Sequence, residues 1–264
     1  MFIYETTGLL IYTCVMTFLI GAVLGSFLNC AAWRIAHGES FLKGRSHCTS
    51  CGHTLGAADL VPVFSWLFLK GKCRYCGTKI PARYPLTELV MALLCLSCVL
   101  RWGLSLLALR NLILLCCLFC LSLVDLEIYE IPNSCLLIAA AAWLLYVPFS
   151  QTTVREALLQ LLAMAVYGGG MLLFSLLFDR ILKKDTLGGG DIKLFGLMGL
   201  YLGLLPSLFA LLLSCLIGLL FYVICLRGRK GAMIPFGPSI AASLWLMLLA
   251  GEAFVGWYLG LMGL

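Results

Sequence analysis

The chain has 264 residues, of which 62% are hydrophobic and 11% are charged, and its formal net charge is +6 at pH 7. Soluble globular domains carry about 25% charged residues, so this composition excludes a water-soluble domain. The chain is therefore predicted to be a polytopic membrane protein.

Eight apolar segments are predicted to be membrane helices. They are residues 8–28, 86–100, 108–124, 132–149, 156–178, 192–205, 206–226 and 237–262. Several are shorter than the roughly 20 residues that cross a bilayer core, so their ends are expected at interfaces or in polar pockets. The division between the sixth and seventh segments depends on Pro206 and on the excessive length of one uninterrupted helix. The predicted fold is an all-α membrane bundle of about eight transmembrane helices.

The lysines and arginines predict how this bundle is oriented. With the N-terminus outside, almost all of them fall in four cytoplasmic segments, residues 29–85, 125–131, 179–193 and 227–236. The exceptions are Arg101, Arg110 and Arg155. The positive-inside rule favours this topology, which also places the C-terminus outside. The positive charge is then explained by topology and by anionic lipid headgroups, and nucleic acid is not expected as a partner.

The first apolar segment ends in a group of polar and small residues. Gly25, Ser26, Asn29 and Arg34 follow one another in "GSFLNCAAWR". They can be an interfacial helix cap, or they can contact a cofactor or a substrate. The sequence alone leaves both interpretations open.

Four cysteines in the predicted loop 29–85 form two Cys-x-x-Cys pairs. Cys48 and Cys51 stand in "HCTSCGHTL", Cys73 and Cys76 stand in "KCRYCGTKI", and a glycine follows each pair. Two such pairs supply four thiolates for a tetrahedral zinc site. A redox motif and two disulfides are the alternatives, but a redox motif is rarely doubled and a reducing cytoplasm disfavours disulfides. Because so short a loop has little hydrophobic core, we predict a structural zinc ion.

Two aspartates are predicted at the cytoplasmic edge of the membrane. Asp125 in "VDLEIYEIPN" ends the third apolar segment, and Asp191 in "LGGGDIKLF" begins the sixth. Ionisable groups at such positions are costly and are therefore functional candidates. Two aspartates in one wet pocket do not both ionise readily, so one keeps a proton while the other acts as general base on a water. Alternatively, Asp191 is a helix N-cap and Asp125 an interfacial anchor.

These motifs together resemble the bacterial type IV prepilin peptidases. "GGGDIK" resembles the Gly-x-Gly-Asp signature of membrane aspartic proteases, and "DLEIYEIPN" resembles its partner motif in that family. "GSFLNCAAWR", the doubled Cys-x-x-Cys loop, "PVFSW", "RYPLTE" and "IPFGPS" recur there in the same order, so the resemblance covers most of the chain. The stretches "NCAAWR" and "AHGES" depart from the commoner pattern in the part linked to methyl transfer.

The resemblance implies a bifunctional enzyme of the bacterial cytoplasmic membrane. Such enzymes cut the short basic leader of type IV prepilins or pseudopilins after a Gly at the cytoplasmic face. Many then methylate the new N-terminal residue, usually Phe, with S-adenosylmethionine. Asp125 and Asp191 match the catalytic aspartates, and the four cysteines match the zinc loop of the methylating members. The candidates for methyl transfer are Gly25, Ser26, Asn29, Arg34 and Glu88, although an acid at position 88 also suits the N-terminus of a membrane helix.

This interpretation divides the chain into three parts and leaves several alternatives open. Residues 1–28 are the first membrane helix, 29–85 the zinc-binding loop domain associated with methyl transfer, and 86–264 the peptidase bundle. Glu127 or Glu130 is a candidate contact for the basic leader. A peptidase without methyltransferase activity is one alternative. A proton-coupled transporter and a membrane thiol oxidoreductase are others, but neither accounts for both the aspartates and the cysteines.

Overall fold

The computed structural model describes residues 7–40, 44–184, 187–226 and 235–263. These residues form nine α-helices and no β-strand, apart from two isolated β-bridges. The helices are α1 Thr7–Ala36, α2 Phe64–Phe68, α3 Arg83–Trp102, α4 Leu106–Ile128, α5 Asn133–Tyr146, α6 Val154–Leu182, α7 Gly189–Leu202, α8 Leu204–Phe221 and α9 Gly237–Leu261.

The structure confirms the prediction of an all-α membrane protein. Each of the eight apolar segments coincides with a helix, and six of these, α1, α3, α4, α6, α8 and α9, are long and apolar enough to cross a membrane. The other two, α5 and α7, have 14 residues each. A helix of that length spans about 21 Å, which is less than a bilayer core of about 30 Å. Neither helix can cross the bilayer core by itself, so other parts of the protein must surround at least one of its ends.

The first helix extends beyond its predicted end at residue 28. Helix α1 continues to Ala36, so Asn29 and Arg34 are helical residues and not part of a loop. Both side chains are buried and both have hydrogen-bond partners. Because their polar groups have hydrogen-bond partners inside the protein, these residues can be buried within the helix. The sequence shows that they are polar, but it does not show these partners.

The break between α7 and α8 also differs from the prediction. It lies at Gly203, whose φ of 78° is a backbone conformation that favours glycine, and not at the bond between Leu205 and Pro206. Pro206 occupies the first turn of α8, where its missing N–H would have no helical partner in any case. Helix α8 therefore begins at Leu204, two residues before the proline.

The chain forms two compact units, Met1–Cys116 and Cys117–Leu264. In the first unit, α1 packs closely along α3. A Cβ atom added to Gly21 would lie 2.7 Å from the Cα of Ala92, and one added to Gly25 would lie 2.9 Å from the Cα of Glu88. These glycines allow the two helix backbones to touch. The contact holds the polar end of α1 against the start of α3.

In the second unit, α7 packs against α5, α6, α8 and α9. Residues 194–201 of α7 are all buried. Gly168 of α6 lies against Gly196 of α7, and a Cβ atom on Gly199 would lie 2.5 Å from the carbonyl oxygen of Ala163. This tight packing surrounds α7 with neighbouring helices and thereby fixes the position of its first turn.

Candidate functional site

Both predicted aspartates line one cavity of the second unit, hereafter the aspartate cavity. Asp125 comes from the last turn of α4, and Asp191 comes from the first turn of α7. The cavity has a volume of about 300 Å³, and its walls also include residues of the α4–α5 turn and the glycines 188–190. Two carboxyl groups that share a small cavity can hold a water between them and exchange protons with it.

Asp125 is held by a residue far away in the chain. Its side chain is buried, and its Oδ2 accepts a hydrogen bond of 2.9 Å from the backbone N–H of Gly237, the first residue of α9. A Cβ atom at position 237 would lie 2.8 Å from the same oxygen. Gly237 belongs to the motif "IPFGPS", from which no role was predicted for it. The available signal was a glycine placed directly before a proline at a helix start.

Asp191 lies in the first turn of α7 and is not its N-cap. The N-cap residue is Gly188, which has no side chain to cap the helix. An aspartate in the first turn interacts favourably with the positive end of the helix dipole. A Cβ atom on Gly190 would lie 2.8 Å from the Cβ of Ile131, so this glycine lets α7 begin directly against the α4–α5 turn. The glycine run thus brings Asp191 to the cavity.

The other charged residues near the aspartates separate into two groups. Glu130 and Lys193 line the aspartate cavity, whereas Glu127 is not part of its described lining. Lys193 Nζ donates a hydrogen bond of 2.8 Å to Asn133 Oδ1, which also lines the cavity. Glu130 is therefore the acid that stands beside the aspartates.

The four predicted cysteine ligands form one cluster in the segment between α1 and α3, hereafter the cysteine loop (residues 37–82). Their sulfur atoms all lie within 4.8 Å of one another, and the Sγ atoms of Cys48 and Cys76 are 3.9 Å apart. Tetrahedral zinc with Zn–S bonds of about 2.3 Å separates its sulfurs by about 3.8 Å. Hydrogen bonds with the side chain and backbone of Thr78 lower the pKa of Cys76 to about 6, which favours the thiolate that a metal requires, whereas the pKa of Cys51 is raised to about 11. The cluster thus fits a metal ion.

The two halves of the cluster have the same backbone geometry. The N–H of Gly52 donates to the carbonyl of Cys48 at 2.8 Å, and the N–H of Gly77 donates to the carbonyl of Cys73 at 2.9 Å. Both glycines have a φ of 72°, which glycine adopts without strain. Each Cys-x-x-Cys-Gly segment is therefore the same tight turn around its pair of sulfurs.

A second cavity, hereafter the loop cavity, lies in the first unit and has a volume of about 320 Å³. Four of the five candidates for methyl transfer line it, namely Ser26, Asn29, Arg34 and Glu88. Gly25 does not line it but packs against the backbone of Glu88. The end of α1, the cysteine loop and the start of α3 thus enclose one cavity.

Arg34 and Asn29 both hold parts of the protein around the loop cavity. Arg34 is buried, and its guanidinium donates to the carbonyl oxygens of Gly44 and Arg45, each at 3.3 Å. Asn29 donates from its side-chain amide to Thr87 Oγ1 on α3. An interfacial cap would face lipid headgroups and water, whereas Arg34 and Asn29 are buried and bind other parts of the protein.

Comparisons with known proteins match both units. The family model described as the bacterial peptidase A24 N-terminal domain matches residues 19–102, and that of the type IV leader peptidase family matches residues 112–223. A prepilin leader peptidase/N-methyltransferase of Bacillus subtilis (strain 168) is 34% identical over 92% of this chain and 96% of its own. A protein of the same name from Aeromonas salmonicida (strain A449) is 33% identical over 92% and 93%.

A third relative has a different name. The type 4 prepilin-like proteins leader peptide-processing enzyme of Escherichia coli O78:H11 is 35% identical over 84% of this chain and 88% of its own. No solved structure matches the chain.

Proposed function

Because the chain belongs to the type IV leader peptidase family, we propose that it cleaves the leader of type IV prepilins or pseudopilins and then N-methylates the new N-terminus. The observation that carries the peptidase proposal is the aspartate cavity, in which the carboxyls of Asp125 and Asp191 face one small volume.

Hydrolysis in this cavity needs only the two carboxyl groups and a water. One aspartate removes a proton from the water as its oxygen attacks the carbonyl carbon of the scissile Gly–Phe bond. The other aspartate gives its proton to the carbonyl oxygen, and the tetrahedral intermediate forms. Transfer of a proton to the amine nitrogen then lets the C–N bond break. Gly237 keeps the carboxyl of Asp125 in place during these steps.

The proposed substrate orientation follows from charge and topology. The positive-inside distribution of lysine and arginine supports a bacterial inner-membrane protein with both termini outside. The aspartate cavity then opens toward the cytoplasm, where the leader of a prepilin lies. Glu130 is the proposed contact for the basic leader, because it lines the cavity and carries the opposite charge.

The proposed methyl-transfer site is the loop cavity. Its lining includes the aromatic rings of Trp33 and Trp66 together with the acids Asp59 and Glu88. The aromatic faces suit the positive sulfonium and the flat base of S-adenosylmethionine. When bound, S-adenosylmethionine supplies an electrophilic methyl group. The cavity walls orient the incoming amine and exclude water from it.

The proposed metal is a structural zinc ion in the cysteine loop. Cys48, Cys51, Cys73 and Cys76 would hold it, and all four are free thiols in the structure. Asp59 supports the same loop, because its carboxylate accepts hydrogen bonds from Arg74 and Tyr75, the two residues between the second pair of cysteines. Zinc would therefore stabilise the walls of the loop cavity.

The peptidase proposal is tested by Asp125→Asn and Asp191→Asn in purified protein with a model prepilin. Each variant is expected to lose leader cleavage by about 1,000-fold or more, since each removes a proton-transferring group. Glu127→Gln is the matched control, because Glu127 is on the same helix but outside the described cavity lining. Retained cleavage by both aspartate variants would overturn the proposal.

Mass spectrometry of the processed pilin tests the methyltransferase proposal. A methylated N-terminal residue is expected when S-adenosylmethionine is present. An unmethylated product under those conditions would leave a peptidase alone. Methylation of a pilin that has already lost its leader separates this activity from cleavage.

A further inference from the structure

A strained backbone turn lies in the wall of the loop cavity. Val63 has a φ of 61° and a ψ of −52°, and the N–H of Phe64 donates to the carbonyl of Pro62 at 2.6 Å. This combination is a three-residue γ-turn of the rare, strained type with positive φ. A β-branched residue is especially unfavourable in that conformation. Such a residue persists only where the surrounding structure holds it in place.

One contact from α3 holds this turn. The backbone N–H of Val63 donates a hydrogen bond of 2.7 Å to Oε2 of Glu88. Glu88 is only 8% exposed, so the bond is largely shielded from water and is correspondingly strong. Gly25 of α1 packs against the backbone of Glu88 from the other side. Glu88 therefore links the strained turn to the packed pair of helices α1 and α3.

The turn determines where a cavity wall lies. Helix α2 begins at Phe64, directly after Val63, and its residues Ser65 and Trp66 line the loop cavity. The indole N–H of Trp66 donates to the carbonyl of Ile80 at 3.1 Å, which ties α2 to the segment that enters α3. If the backbone at Val63 relaxed, α2 would start in another direction and Trp66 would leave this position.

We propose that Glu88 is a positioning residue for methyl transfer, which acts through Val63 and not on the methyl donor. Its carboxylate holds the γ-turn, the turn directs α2, and α2 places Trp66 in the wall of the loop cavity. This inference depends on the proposed methyl-transfer function of that cavity. The motif "RYPLTE" then supplies Glu88, and the motif "PVFSW" supplies the Val63 and Trp66 that Glu88 positions.

Replacements of Glu88 distinguish positioning from direct chemistry. Glu88→Gln keeps an oxygen that can accept the Val63 N–H, so methylation of a leader-free pilin is expected to fall by no more than about threefold. Glu88→Ala removes the acceptor and is expected to lower methylation by about tenfold or more. A charge or a proton acceptor used directly on the substrate would be lost in both variants. Equal defects in both would therefore overturn the proposal.

A second variant tests the connection through Val63. Val63→Gly adopts a positive φ without the strain of a side chain, so it is expected to restore much of the methylation lost in Glu88→Ala. Val61→Gly in the same Glu88→Ala background is the matched control and is expected to restore nothing. Failure of Val63→Gly to restore methylation would also overturn the proposal. Leader cleavage shows independently that the second unit of each variant is folded.

Proteolysis separates failure of this inference from failure of the proposed function. If the wild-type protein does not methylate, the function proposed for the cavity is wrong. The positioning role is still measured by limited proteolysis of the cysteine loop, which is expected to speed up in Glu88→Ala and to slow again with Val63→Gly added. Identical digestion rates in the wild type and Glu88→Ala would contradict the positioning role.

Discussion

The backbone N–H of Gly237 donates a hydrogen bond to Oδ2 of Asp125 at 2.9 Å, and no side chain fits between the two residues. The start of α9 thus completes the environment of an aspartate at the end of α4. In the proposed mechanism this carboxyl group meets a water and a peptide bond and needs a fixed orientation, which this contact supplies.

We expect Gly237→Ala to impair leader cleavage selectively. The new Cβ would lie 2.8 Å from Asp125 Oδ2 and displace that carboxyl from the aspartate cavity. Displacements of this size commonly lower kcat by about 100-fold, with little change in KM. Steady-state cleavage of a model prepilin measures both constants.

Two controls accompany this variant. Gly256→Ala is on the same helix, and its Cβ would meet nothing within 4 Å, so cleavage should remain at the wild-type rate. Methylation of a leader-free pilin should continue in Gly237→Ala, because the loop cavity belongs to the first unit. Equal cleavage by Gly237→Ala and Gly256→Ala would contradict the assigned role of Gly237.

Gly190→Ala is expected to lower cleavage by about tenfold, because its Cβ would lie 2.8 Å from the Cβ of Ile131 and push Asp191 away. Ile131→Gly in the same chain removes the obstructing Cβ together with the rest of that side chain. The double variant should therefore cleave faster than Gly190→Ala alone. Strictly additive losses in the double-mutant cycle would show that the two residues act separately.

Metal removal should affect methylation and spare cleavage. We expect one zinc per chain by elemental analysis, and loss of that zinc in Cys48→Ser and Cys76→Ser. Methylation should fall with the metal, because the cysteine loop forms walls of the loop cavity. Cys215→Ser, on the exposed surface of α8, is the control and should keep its zinc. Zinc-free wild-type protein with full methylation would contradict this role.

Metal affinity should also depend on pH. The pKa of Cys76 is lowered to about 6 by hydrogen bonds from Thr78, so its thiolate is available above that pH. Below about pH 6 protons compete with the metal for this sulfur. Because the pKa of Cys51 is raised to about 11, protons compete for that second sulfur at higher pH as well, so affinity should fall progressively as the solution is acidified. Thr78→Val removes the side-chain donor, so its loss of affinity should begin at a higher pH. A competition titration with a zinc chelator measures this shift.

Gly199→Ala should destabilise the second unit. Alanine normally favours a helix by about 1 kcal/mol over glycine, but here its Cβ would lie 2.5 Å from the carbonyl oxygen of Ala163. Overpacking of this kind costs about 1–3 kcal/mol, so the clash outweighs the propensity. Gly170→Ala on α6 has no atom within 4 Å of its Cβ and should be neutral or stabilising. Thermal unfolding in detergent compares the two variants, and equal melting temperatures would contradict the packing argument.

Much of this protein was predictable from its sequence, because strong physical constraints appear there directly. A composition of 62% hydrophobic residues leaves lipid as the main solvent, and lipid permits only helices or closed barrels. The two Cys-x-x-Cys-Gly segments carry their own turn geometry, so the arrangement of each pair of cysteines needed no tertiary information. Asp125 and Asp191 were identifiable because charge at the end of an apolar segment is costly.

The tertiary structure decided which polar residues have partners. Helix α1 continues through Asn29 and Arg34 because Thr87 and the carbonyls of the cysteine loop satisfy them. Gly237 meets Asp125, and Glu88 meets Val63, across long stretches of chain. Periodicity and motif spacing report local preferences, whereas a hydrogen bond between distant residues depends on how the helices pack. The sequence by itself therefore determined the fold class and singled out the candidate catalytic residues, and packing decided which neighbours hold those residues in place.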